Sequence, residues 1–166
     1  MTSCSTLTVP STLGFVRITA VERGISGITF VESEEPSSDV PAFLAQCGRQ
    51  LQEYFAGERK TFDSLPLVFH ATDFQRQVWE SAMEIPYGEC RTYAGLAEAI
   101  GSPNAARAVG TALSRNTLMI IVPCHRIVPA DSHAGVGGFA GGPWRKEWLL
   151  KHENPRVAFA AKVTVA

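Results

Sequence analysis

Near Thr72–Asp73 the chain changes character, from β-forming stretches with one helical segment to mainly helical spacing, and such a chain cannot fold as one regular layer of a single element type. Upstream, "GFVRITA" and "GITFV" alternate or cluster β-formers on either side of "VERGIS", where Gly24 can supply the turn. "SEEPSSD" reads as an acidic loop rich in Ser and Pro. Between Pro41 and Ala56, Phe43, Leu44, Cys47, Leu51, Tyr54 and Phe55 recur at helical spacing, and Gly57 suits the position just past a helix end. "LPLVF" offers a further short strand. This first segment, residues 1–72, reads as a small α+β domain without a catalytic constellation.

Downstream the repeat is helical. Thr72 or Asp73 can cap a helix whose apolar face is Phe74, Val78, Trp79, Ala82 and Met83, and "IPYGE" ends it. Thr92 then caps "YAGLAEAI", and Gly101 follows it. Ser102 offers a cap, with Pro103 at the first position, for "PNAARAVGTALSRN", which ends at Asn116. Two short helices across a Gly-Ser turn form the pattern of a helix-turn-helix. Ala105, Ala106, Ala108 and Gly110 let the second helix approach a surface closely, either the core or the floor of a DNA groove. A strand "LMIIV" follows, then Cys124-His125-Arg126, then the glycine loop "GVGGFAGG". No G-K-[ST] follows those glycines, which excludes a P-loop. "PWRKEWLLKHE" restarts helical spacing through Trp144, Trp148 and Leu149, with Pro143 at its first position. The second domain is placed at residues 73–157, and a tail at 158–166 has no assigned role.

Charge is distributed unevenly. The first 72 residues carry more acids than bases, and the remainder carries more bases than acids. From Ala99 to Ala130 there is no acid, while Arg107, Arg115 and Arg126 are present, a local positive surface that suits phosphates or is simply solvated. No stretch approaches 18 uncharged apolar residues, and the first residues lack the basic and apolar regions of a signal peptide. The expectation is an intracellular protein with no membrane partner: cytoplasmic, or nuclear in a eukaryote.

Cys4, Cys47, Cys90 and Cys124 are widely spaced, without a C-x-x-C pair, so neither a zinc site nor a disulfide framework is indicated. No metal or cofactor is expected. Cys124 is the thiol with chemistry beside it. Pro123 removes a backbone donor and should stop sheet pairing there. A thiol becomes nucleophilic as the thiolate, so a base is required. In an extended chain His125 would point away from Cys124, which makes a direct bond awkward unless a water or a bend intervenes. Glu153 is the acid placed to orient the imidazole. A buried inert thiol and a Cys-His-acid relay both stay open on these residues.

"IPYGECRTYAGLAEAIGSPNAARAVGTALSRNTLMIIVPCHRIV", the glycine loop and "KEWLLKHE" together resemble the O6-alkylguanine-DNA alkyltransferase family over roughly Phe74 to Glu153. The Pro-Cys-His-Arg core flanked by aliphatic residues is that family's signature. The resemblance implies an α+β protein, with a small ribonuclease H-like N-terminal domain and a helical, winged-helix-like DNA-binding domain. It implies that Cys124 accepts the alkyl group of O6-alkylguanine in an irreversible, single-use transfer, with O4-alkylthymine a further candidate substrate. His125 and Glu153 match the proton relay, through a water. Tyr93 matches the tyrosine that donates to the base and helps rotate its 3′ phosphate. Asn116 matches the asparagine joining the recognition helix to the active-site strand. Arg107 matches the arginine that fills the stack when the base flips out.

The same resemblance places Ser102, Ala106, Arg107, Thr111 and Ser114, with Tyr93, on a DNA-binding face that enters the minor groove, where sequence readout is weak. It places Ile127, Phe139, Ala140 and Gly141, again with Tyr93, around the substrate pocket, and has the Ala140 N–H facing O6. Three positions depart from common family residues: Thr117 for a proline, Phe139 for a tyrosine and Ala140 for a serine. The implied partner is double-stranded DNA carrying O6-alkylguanine, bound by a protein monomeric in solution, with cooperative assembly on DNA left open. The alternative is a helix-turn-helix module that binds DNA or senses lesions without catalysis.

Overall fold

The computed structural model describes residues 3–37, 39–131 and 135–156. The chain divides into two compact units, residues 1–70 with 117–119, and residues 71–116 with 120–166. The assigned tail at 158–166 lies outside the described residues.

The first unit is an antiparallel meander of β1 (Ser5–Ser11), β2 (Gly14–Val21) and β3 (Gly24–Val31), in that order, with α1 (Ala42–Phe55) packed on it. Val9, Val16, Ile18, Ala20, Ile25 and Ile28 supply the buried face of the sheet. Leu44, Cys47, Leu51 and Tyr54 of α1 close over it. The helix comes close enough that a Cβ on Gly48 would lie 2.9 Å from Leu7 Cδ2.

Strand β1 is not among the strands expected from the sequence, which lie at "GFVRITA", "GITFV" and "LPLVF". Its alternating Leu7 and Val9 are interrupted by Pro10, and proline is tolerated because β1 is an edge. Two expected strands reduce to single bridges. Leu67 of "LPLVF" pairs only with Ile25, and Leu118 of "LMIIV" only with Ile28, where Thr117 O accepts from Ile28 N. The second cannot continue because Ile120 takes a φ of 74°, which turns the chain.

The second unit contains α2 (Asp73–Met83), β4 (Arg91–Thr92), α3 (Tyr93–Ala99), α4 (Ala106–Ser114), β5 (Ile127–Val128) and α5 (Pro143–Glu153). Thr72 caps α2 in a full capping box with Gln75. Thr92 caps α3 through Gly95 N. Gly101, at φ 79°, lets the chain reverse after α3, with Ser102 N closing on Ala97 O. Helix α4 begins three residues later than Pro103. Ala105 N donates to Ser102 O, so Ser102 to Ala105 form a turn and Ser102 is not a helix cap. Val109, Ala112 and Leu113 are buried, and the indole of Trp79 on α2 donates to Ala112 O at 2.9 Å. The helix-turn-helix is therefore held by its inner face, while Arg107, Thr111 and Ser114 stay exposed. Parallel pairing of β4 with β5 ties the start of α3 to the segment after Cys124. Among the described residues no helix is long and apolar enough to cross a membrane.

Candidate active site

The Cys124 segment is bent. Pro123 sits at φ −81°, ψ 63°, so Cys124 N reaches back to Val122 O at 2.8 Å, and Cys124–Arg126 make one 3-10 turn. This replaces the extended geometry that made the Cys-His pairing awkward. Asn116 bridges the bend: its Nδ2 donates to Val122 O at 2.9 Å and to Cys124 Sγ at 3.2 Å.

Behind the cysteine lies a buried polar cluster. His125 Nε2 is 2.7 Å from Glu153 Oε2, and His125 Nδ1 is buried without a protein hydrogen-bond partner. Arg126 grips the same carboxylate through Nε at 2.8 Å and Nη2 at 3.0 Å, and its Nη1 donates to Ile85 O. Gly88 N adds a bond to Glu153 Oε1 at 3.3 Å. Arg126 thus belongs to the interior and not to the positive surface expected of it.

Burial by itself would raise the Glu153 carboxyl. The His125 ring and Arg126 facing it reverse that and hold it well below the ordinary carboxylate range. Burial pushes the His125 imidazole down, against the pull of Glu153. An ionised Glu153 at Nε2 fixes the proton there, which leaves Nδ1 as a bare acceptor.

The Cys124 thiol stays raised above its ordinary value, with opposing influences around it. Burial raises it, while the Asn116 bond and then the Lys146 ammonium lower it. Cys47 is equally buried without such help, and its thiol is pushed up to about 12. Both thiols are raised by burial; of the two, Cys124 is the one with a hydrogen-bond donor and an ammonium group that favour its thiolate.

Lys146 has no role in the sequence reading. It is fully buried, donates to Ile127 O at 2.5 Å and Gly138 O at 3.1 Å, and is brought down to about 8 by burial. Its signal was the stripe Lys146, Leu149, Leu150, Glu153, a single helical face. Trp144, read as part of the apolar face, is instead 57% exposed.

Cys124 opens on a pocket of about 240 Å³ lined by Tyr93, Gly110, Leu113, Ser114, Phe139 and Ala140, with Gly138. Tyr93 begins α3. A Cβ on Gly137 would come within 3.0 Å of its hydroxyl, so the loop must pass as glycine there. Burial and then Cys124 raise the Tyr93 phenol, which keeps it a proton donor. Ile127 and Gly141 do not line this pocket. Ile127 is wholly buried and contributes its carbonyl to Lys146, and Gly141 O accepts from Arg145. Ser114, expected on the DNA face alone, also borders the pocket. Arg107 and Thr111 lie on the exposed side of α4, with Ala106 and Ser102 partly covered.

Residues 73–155 match the 6-O-methylguanine DNA methyltransferase DNA-binding domain, and residues 6–69 match the ribonuclease-like domain of the same proteins. The chain belongs to the 6-O-methylguanine DNA methyltransferase family. It is 44% identical over 150 residues to the methylated-DNA–protein-cysteine methyltransferase of Methanosarcina acetivorans, covering 87% of this chain and 94% of that one. With the constitutive enzyme of Bacillus subtilis the identity is 52% over 120 residues, covering 72% and 70%. The crystal structure of Mycobacterium tuberculosis O6-methylguanine methyltransferase superposes with a TM-score of 0.81 at 36% identity, covering 93% of this chain and 94% of that one. A structure of the M. tuberculosis protein in complex with DNA superposes at 0.80, with 36% identity, covering 94% and 98%. Family membership makes the chain a direct-reversal DNA repair protein that transfers an alkyl group to a cysteine, with DNA as its partner.

Proposed function

We propose that Cys124 is the acceptor cysteine and that the pocket takes the alkylated base, O6-alkylguanine, flipped out of duplex DNA. The observation that carries this reading is what converges on one cysteine. Cys124 lines the pocket, Asn116 donates to its sulfur, and the next residue, His125, is buried against Glu153.

His125 Nδ1 takes the thiol proton through a water, and Glu153, locked by Arg126, steadies the imidazolium that results. The thiolate attacks the alkyl carbon in line. The S–C bond forms as the C–O6 bond breaks, and the electron pair leaves with guanine, towards which the Tyr93 hydroxyl donates. The product thioether has no electrophilic carbonyl for water to attack, so each molecule acts once. A pocket of about 240 Å³ has room for a base and not for a duplex, so the nucleotide must leave the stack. Arg107, exposed on α4, then fills the gap from the minor groove. The protein acts as a monomer in solution, within the compartment that holds the DNA.

Cys124→Ala tests the assignment. It should bind duplex DNA as the parent does and transfer nothing; any remaining transfer would move the acceptor elsewhere.

A further inference from the structure

The loop that lines the pocket leads directly into an exposed aromatic residue. Phe139 O accepts from Gly142 N at 2.9 Å, and Pro143 and Trp144 then begin α5. Trp144 is the most exposed of the large hydrophobic side chains among the described residues. An isolated exposed apolar residue needs no explanation. This one, however, is held in place on two sides. Its ring atoms Cδ1 and Nε1 lie so close to Gly142 that a Cβ there would be 3.3 Å from them. The Arg145 guanidinium stands 4.4 Å from the ring centroid, and its Nη1 donates to Gly141 O at 3.0 Å. Indole and guanidinium are thus both braced on Gly141–Gly142, next to the Gly138–Ala140 segment that faces Cys124.

The pocket consequently has two lips. One is α4, which contributes Gly110, Leu113 and Ser114 and carries the exposed Arg107. The other is the loop ending in Trp144, which has no charged residue from Gly135 to Trp144 and so does not repel phosphates.

We propose that Trp144, oriented by Arg145, is a second DNA contact, stacking on a nucleotide that flanks the one in the pocket. The inference rests on the functional reading above. A duplex presented to the α4 lip runs past the opposite lip, and unstacking one nucleotide exposes the faces of its neighbours. An exposed indole braced by a guanidinium is the kind of sequence-tolerant platform that stacks on such faces.

The test compares two substrates under single-turnover conditions: duplex DNA with O6-methylguanine, and free O6-benzylguanine. Two variants are used. Trp144→Ala removes the ring. Trp144→Glu places an acid in the first turn of α5, where the helix dipole favours it, so folding is kept while phosphate is repelled. Trp144→Ala should react with duplex about tenfold more slowly than the parent at subsaturating protein, and Trp144→Glu more slowly still. Both should keep the parent's rate with free O6-benzylguanine, and Trp144→Phe should recover most of the duplex rate. Duplex rates unchanged in both variants, or equal losses on the two substrates, would overturn the proposal. Failure of the parent protein to react with either substrate would instead overturn the functional reading on which it rests.

Discussion

Asn116 donates through Nδ2 to the Cys124 sulfur at 3.2 Å, and both residues are buried. The same amide group holds Val122 O, so one side chain both fixes the bend at Pro123 and offers a hydrogen bond to the thiolate. Asn116→Ala should move the thiol titration further up, because the largest influence opposing burial is lost. The thiolate fraction at neutral pH should fall by roughly 10-fold or more, the value of a hydrogen bond to a charged group. The rate of iodoacetamide capture of Cys124 against pH reads this shift directly; an unmoved profile would remove Asn116 from thiol activation.

Arg126 separates a structural charge from a DNA contact. Arg126→Met leaves Glu153 buried without its bidentate partner and should cost about 3–5 kcal/mol in urea denaturation. Phosphate contacts would show up differently, as a lower salt slope of DNA binding. The buried geometry predicts that this slope is unchanged in whatever fraction of the variant stays folded.

Stability should depend on pH in two steps. Burial lowers the folded-state pKa of His125, so between its ordinary value of 6.5 and the lower folded value the unfolded chain binds more protons. Stability therefore falls as pH drops below about 6.5. Glu153 is also depressed in the folded state, so its contribution is complete above 4.5 and is lost as pH falls below that. Thermal melts from pH 7 to 4 should show a steady decline, and His125→Gln should flatten its upper part. A melting temperature that is level between pH 7 and 5 would contradict a neutral buried His125.

Arg107→Ala should slow transfer from duplex DNA about tenfold while sparing free O6-benzylguanine, because only the duplex requires a base to leave its stack. Equal losses on the two substrates, measured as single-turnover rates, would remove the flipping role.

Much of this arrangement is legible in the sequence, for identifiable reasons. Helices α2 and α3 are announced by their caps Thr72 and Thr92, and Glu153 by its spacing in "KEWLLKHE". Other features depend on contacts that no local pattern records. Whether Arg126 meets solvent or Glu153 depends on residues 27 positions apart, and whether Trp144 is buried depends on which face α5 turns inward. The early end of the expected strand "LMIIV" follows from positive φ at Ile120, a conformation that a β-branched residue does not advertise. Lys146 sat on an apolar stripe that could have flagged it, but a lysine there also reads as the edge of a solvated face.

As the acceptor, Cys124 is consumed by the reaction. Intact-mass measurement of the parent protein after incubation with duplex DNA carrying O6-methylguanine should show a gain of one methyl group. Peptide mapping should place that group on the peptide containing Cys124. No gain in folded, reduced protein, or a methyl group on Cys4, Cys47 or Cys90, would contradict the account.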